Sequence, residues 1–387
     1  MALTLIYTTL LAFIPYFIAV WRPPSLKWII AIAVAARLGM LLVPVTLSSD
    51  VYRYVWEGKV QNAGYNPYRF APDAPELAGL RDANWERVEH REVPSAYPPL
   101  LLFVFRAGTT PLAFKLIFTL FDLATFWLLR RLARERAVIW AWNPLVILEF
   151  AGNAHSMSMA ICFFVAALWL RERNRPWPAT LALAGAVLSH GLAVPAAVAV
   201  LISKPWRNVR VWLLFAGTVG LAFLPFADAG TTALLGLVHV AGRWRFNGSV
   251  FEVLVGLTGG EYWREGFGGV WIAFEGPKRI AGMLVAAVTA WTVVRRYRPS
   301  RAALAVTGAT LLLSSTVHPW YVTWLVALCC VEFRVPWLVL SAGMVLSYAA
   351  RVTELTTGVW VDSAVVRWIE YTPFFALWLV DTVRRRQ

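Results

Sequence analysis

The chain has 387 residues, of which 59% are hydrophobic and only 15% charged, with a mean hydropathy of +0.59. That much apolar surface excludes a soluble globule of this size and indicates a polytopic membrane protein. The formal charge of +14 falls in short basic clusters between apolar runs, which reads as membrane topology and excludes a nucleic-acid binder; the three cysteines, Cys162, Cys329 and Cys330, lie inside apolar runs and predict neither a disulfide framework nor a metal site.

Residues 3–21 and 28–46 are each long enough to span a bilayer. The first lacks a basic start and a small-residue cleavage motif, so it reads as a retained span and not as a signal peptide. The linker RPPSLK between them carries Arg22 and Lys27 and no acid, which places it in the cytoplasm and both the N-terminus and Asp50 outside. Residues 48–99 then form a large polar external loop that opens with SSDVYRYVWEGKVQNAGYNPY and closes with YPPLLLFVFRAG, a run too short to span and suited to an interfacial helix begun after its prolines. Residues 111–129 return to the basic cluster RRLARER, AVIWAWNPLVILEF goes out, GNAHS turns the chain, and MSMAICFFVAALWL comes back to RERNR. Two short broken passes meeting near His190 lie between RERNR and KPWRNVR, since both flanks are basic.

Residues 209–226 lead to a second large external loop, 227–277, that contains WRFNGSVFE and the Gly-rich GGEYWREGFGG. Further passes follow, with HPWY at an outer turn and RRR at 384–386 placing the C-terminus in the cytoplasm. The reading is an all-α polytopic membrane protein, a single integral membrane domain over 1–387, with about 13 transmembrane helices and large extracytoplasmic loops carrying short interfacial helices.

This topology, set by basic clusters alone, brings Asp50, Arg53, Glu57, Asn66, Tyr97, His155, Arg243, Arg245, Asn247 and His318 to the outer ends of spans. Polar groups near a membrane are costly unless they pair or line a cavity, so their clustering argues for one external site. Asp50, Arg53, Tyr54 and Glu57 fall at i, i+3, i+4 and i+7 and share a face if the segment is helical. Blander roles stand beside these. Asp50 suits an N-cap, Arg53 and Glu57 an ordinary helical ion pair, and His155 and His318 the satisfaction of backbone groups at helix ends.

The ordered set SDVYRYVWEG, AGYNPY, YPPL, NPLVILEFAGNAH, WRFNGSVFE and HPWYVTWL resembles the polyprenol-phosphate-sugar-dependent glycosyltransferases of the GT-C superfamily, and within it the bacterial mannosyltransferase-like members. The resemblance implies a GT-C-type helical bundle in the bacterial inner (plasma) membrane, a catalytic carboxylate at the start of the first external loop, here Asp50, and a polyprenyl-phosphate-linked donor such as the mannose form. It also implies a lipid or glycan acceptor and inversion in a single displacement. Where relatives carry paired acids this chain has Ser49 before Asp50, and where they carry an acid two residues after the histidine it has Met157.

On that chemistry Asp50 is the expected general base for an acceptor hydroxyl. Arg53, Arg243, Arg245 and His318 are candidates for holding the donor phosphate through charge-assisted hydrogen bonds. Trp56, Glu57, Asn66, Tyr97, His155 and Asn247 are candidates for binding or orienting sugar and acceptor. No cofactor is expected, and a divalent metal is left open but without support, because the outer carboxylates form no tight ligand cluster. The partners expected are donor, acceptor and membrane lipids, with no nucleic acid. The alternative is a non-enzymatic lipid or solute transporter with an outward-facing polar cavity; it is disfavoured by the lack of repeated halves and by a site at one face instead of mid-membrane.

Overall fold

The computed structural model describes residues 1–203, 208–259, 263–265, 271–273 and 275–384. Helices account for most of this, with one short antiparallel ribbon, Trp263–Glu265 against Trp271–Ala273. Most of GGEYWREGFGG, part of KPWRNVR and the last two arginines of the C-terminal cluster lie outside the described residues. The chain is an all-α polytopic membrane protein. Ala2–Trp21, Pro111–Ala141, Leu224–Arg243 and Val335–Thr357 are long and apolar enough to cross a membrane, while Val209–Ala222 and Pro319–Val331 are apolar but shorter. Helices such as Ala2–Trp21 turn Leu11, Ile14 and Ile18 outward and Phe13 and Tyr16 inward, apolar on every side as lipid contact demands.

One large core joins the N-terminal helices, Met157–Glu172, Pro319–Val331 and Val335–Gly343 around Trp140, Phe164 and Trp324. A second cluster, with Tyr54, Tyr68, Phe105, Phe114, Phe118 and Phe226, lies beneath the loop 48–99. Proline sets the start of several elements, among them Pro99–Phe105, Pro111–Ala133, Pro176–Val187 and Pro319–Val331, because a first-turn residue needs no N–H partner. Thr110 caps the second of these through its hydroxyl to the Ala113 N–H. Pro99–Phe105 is the short helix that YPPL announces, and the chain around His190 folds into two short helices, Pro176–Val187 and Ala193–Leu201. The region 227–277 is more helical than its composition suggests. Leu224–Leu234 and Leu235–Arg243 run together across a bend at Gly230, where φ is +53°, and Gly236 lies against the Ser95 and Pro94 carbonyls, where a Cβ would stand 2.3 Å and 2.5 Å from them. That contact lays the helix across the first polar loop.

Three charges inside the bundle fix its frame. Arg37 on the helix Leu26–Leu42 meets Asp122 with Nε to Oδ2 at 2.5 Å and Nη2 to Oδ1 at 2.9 Å, and its Nη1 donates to the Ala33 and Ala141 carbonyls. Trp140 Nε1 donates to the same carboxylate at 2.8 Å. Lys115 Nζ donates to the Met40 and Leu41 carbonyls at 2.7 Å and 3.1 Å, closing the helix end that leads to Asp50. A buried pair with its remaining donors satisfied is tolerated, whereas a lone buried charge is not. Asp122→Leu is therefore expected to lower stability by about 3–5 kcal/mol, read as earlier unfolding in detergent, with Arg37→Met added to it restoring most of the loss; equal losses in the single and double variants would contradict this role.

Candidate active site

Asp50 begins the helix Asp50–Asn62, with the Ser48 hydroxyl accepting from its backbone N–H at 3.2 Å. Val51, Tyr54, Val55 and Gly58 turn into the second core. Gly58 is required there, because a Cβ at this position would stand 2.0 Å from the Phe105 carbonyl oxygen. The helix is thus pressed against Pro99–Phe105, and the Asp50 side chain at its start is left 38% exposed.

The wall facing Asp50 comes from an irregular segment. After Pro144–Ile147 the helix widens into a π turn over Leu148–Gly152, and the backbone then passes through Ala154 at φ +61°. Both features concentrate at functional sites, because they re-aim side chains at a cost in regularity. The His155 N–H donates to the Glu149 carbonyl at 2.9 Å, which folds the two side chains toward each other. His155 Nε2 lies 3.3 Å from Glu149 Oε2, and His155 Nδ1 lies 3.5 Å from Asp50 Oδ2. The ring is 1% exposed and Glu149 fully buried. Glu149 also receives Tyr348 Oη–H at 2.8 Å and Asn153 Nδ2 at 3.2 Å. Trp320 stacks on His155 with centroids 3.8 Å apart, and His318 stacks on Trp320 at 4.3 Å with rings nearly parallel.

The strand-like segment ending at Asn247 completes the rim. The Phe246 N–H donates to the Ser315 carbonyl and the Val317 N–H to the Phe246 carbonyl, which sets Phe246 and Trp244 against His318 and Trp244 against His90 of the first loop. Arg243 and Arg245 flank Trp244 and are exposed; Arg245 Nε donates to Glu252 at 3.0 Å.

The two carboxyls on the Asp50 helix are driven apart. Burial raises Asp50, but the contact with His155 and the positive potential of His155, His318 and His90 outweigh it and hold it below the ordinary range. His318 counts little at neutral pH, since burial pushes that imidazole down to about 4. For Glu57 burial dominates over the Arg53 charge and the carboxyl is raised. Opposite shifts on neighbouring acids are how a site separates their roles.

The structure brings together Asp50, His155 and His318, with Arg243 and Arg245 at the rim. Tyr97 is half-buried, with its ring on Tyr54 and Phe105, and is electrostatically coupled to Asp50. Other expected residues are engaged elsewhere. Arg53 donates to Glu57 at 2.7 Å and to the His90 and Val93 carbonyls, so it clamps the loop. Trp56 and Glu57 are buried beneath the helix. Asn66 ties the first loop to Asp228 and the Phe226 carbonyl, and the buried Asn247 amide donates to Glu370 at 2.8 Å. Glu149, Asn153, Trp320 and Tyr348 were not anticipated. An acid in an apolar run six residues before His155 was the available signal.

The fold and the site define an integral membrane protein with a carboxylate–imidazole–carboxylate centre at one end of its bundle. The chain belongs to the family described as alpha-(1->6)-mannopyranosyltransferase, N-terminal domain, whose model matches residues 1–204 of the 387 and takes in Asp50, Glu149 and His155. It is 24% identical over 348 residues to a Mycolicibacterium smegmatis protein named "Probable alpha-(1->6)-mannopyranosyltransferase", covering 74% of this chain and 61% of the relative. It is 25% identical over 251 residues to an alpha-(1->6)-mannopyranosyltransferase of Mycobacterium tuberculosis, covering 56% of this chain and 42% of the relative. The chain thus spans less than two thirds of the length of either. No solved structure matches it.

A carboxyl whose pKa is lower folded than unfolded stabilises the protein above the unfolded value, and that contribution is lost as pH falls through the folded one. In a carboxyl 13C titration Asp50 is expected to protonate below the ordinary aspartate range and to move upward in His155→Gln. A midpoint at or above that range in the wild type would contradict the assigned pairing.

Proposed function

We propose that this protein is a glycosyltransferase that moves mannose from a polyprenyl-phosphate-mannose donor to a lipid or glycan acceptor on the extracytoplasmic face of the bacterial plasma membrane. The observation that carries the reading is Asp50, a partly exposed carboxylate held below its ordinary pKa beside His155 within the matched family region. The name alpha-(1->6)-mannopyranosyltransferase carried by the relatives supports mannose and an α product. The basic clusters support a cytoplasmic C-terminus and an external site.

In this mechanism Asp50 takes the proton of the acceptor hydroxyl as its oxygen bonds to the anomeric carbon. The bond from that carbon to the donor phosphate breaks, and polyprenyl phosphate leaves as an anion that needs no strong acid. A β-linked donor is thereby inverted to an α-linked product. Arg243, exposed beside Trp244, is the candidate to meet the phosphate, with Arg245, paired to Glu252, next to it and His318 as a neutral donor. Tyr97 offers a ring edge for the sugar. Arg53, Trp56, Glu57, Asn66 and Asn247 act by shaping the cleft, since their polar groups or surfaces are already engaged.

The test is transfer of radiolabelled mannose by purified protein in lipid, with polyprenyl-phosphate-mannose against GDP-mannose as donors and membrane glycolipids as acceptors. Turnover is expected with the lipid donor alone and a fall of about 10² to 10⁴ in Asp50→Asn. Undiminished turnover in Asp50→Asn, or transfer from GDP-mannose, would overturn the reading. Gly58→Val should likewise reduce turnover by displacing the helix from Phe105; full activity in that variant would show that the helix position is not needed.

A further inference from the structure

We infer that His155 is a doubly protonated imidazolium that binds Asp50 on one side and Glu149 on the other, with Glu149 a positioning residue for the transfer base. This rests on the reading of Asp50 as that base. Donor count at the ring decides its charge. A neutral imidazole has one N–H and one lone pair, and here each nitrogen faces a carboxylate, at 3.5 Å and 3.3 Å. Either neutral tautomer would turn its lone pair onto an anion inside the protein. Only the imidazolium offers an N–H to both.

Burial raises the Glu149 carboxyl, while His155, Tyr348 and Asn153 act against that by favouring its ionised form. Tyr348 Oη, itself accepting from Asn153 Nδ2 at 3.0 Å, spends its proton on the carboxylate, and Asn153 donates to Oε2 as well. Neither ring nitrogen of His155 has a formed hydrogen bond among the described residues, as is common for catalytic contacts that tighten when substrate binds. The Trp320 face at 3.8 Å supplies a cation–π partner. The other ionisable groups facing this centre are His318 across Trp320, His190, and, through the two carboxylates, Tyr348 and Tyr321.

The consequence for the reaction is directional. With Oδ2 of Asp50 held by His155, Oδ1 is the oxygen left for the acceptor hydroxyl. When Asp50 takes that proton, the imidazolium keeps Glu149 as counter-ion and stays charged. Activity therefore requires His155 protonated and is lost as pH rises, and removing the Glu149 charge lets the ring release its proton at lower pH.

The experiment is 15N NMR of histidine-labelled full-length protein in lipid nanodiscs, with the five histidines assigned by single substitution, alongside kcat and KM against pH. Both His155 nitrogens are expected to be protonated in the wild type at neutral pH. In Glu149→Gln the ring becomes neutral, kcat falls at least about tenfold with donor KM little changed, and the basic limb of kcat moves to lower pH. A neutral His155 in the folded wild type, which needs no variant to detect, overturns the inference, as does a basic limb unmoved in Glu149→Gln. If Asp50→Asn is inactive while His155 is neutral, this inference fails and the transfer reading stands; if Asp50→Asn transfers normally, the transfer reading fails by itself.

Discussion

An anion stays charged at the edge of an apolar bundle only if something nearby carries the opposite sign, and for Asp50 that partner is the ring of His155. The ring is held on every side. Glu149 faces its second nitrogen, Trp320 covers it, and Asn153, four residues on, and Tyr348, from a helix distant in sequence, keep Glu149 in place. Because desolvation makes each unpaired group expensive, the centre is cooperative: loss of any one member leaves another polar atom buried without its partner.

The rest of the fold serves that centre by holding its walls. Arg37 and Asp122 lock two helices of the N-terminal half, Lys115 closes the helix end before Asp50, and Arg53 pins the first loop by its His90 and Val93 carbonyls. Gly58 lets the Asp50 helix touch the Phe105 backbone. Phe246, bonded to the 315–317 segment, sets its own ring and that of Trp244 against His318.

Much of the architecture was legible in the sequence because apolar runs, proline starts and basic clusters are local signals. The helix at Asp50, the short helix after YPP and the pair of short helices at His190 all follow from them. The ordinary ion pair between Arg53 and Glu57 was equally readable, and the structure has it. Glu149 was hidden by periodicity, since residues six apart lie on different faces of an α-helix and only the π turn and Ala154 fold Glu149 back to His155. Trp320 was one tryptophan among 21. Arg37 and Asp122 are single charges in long apolar runs whose pairing is a matter of tertiary structure. Asn247 looked like a site residue because it sits in a polar motif, yet its amide is spent on Glu370.

The central claim is that transfer takes place at Asp50, and the most direct measurement is a cryo-EM structure of the full chain with a phosphonate analogue of polyprenyl-phosphate-mannose and a glycolipid acceptor. The account predicts the acceptor hydroxyl within hydrogen-bonding distance of Asp50 Oδ1, in line with the anomeric carbon, and the phosphonate toward Arg243 and Arg245. A sugar head bound in another cleft, with Asp50 facing only solvent, would contradict it.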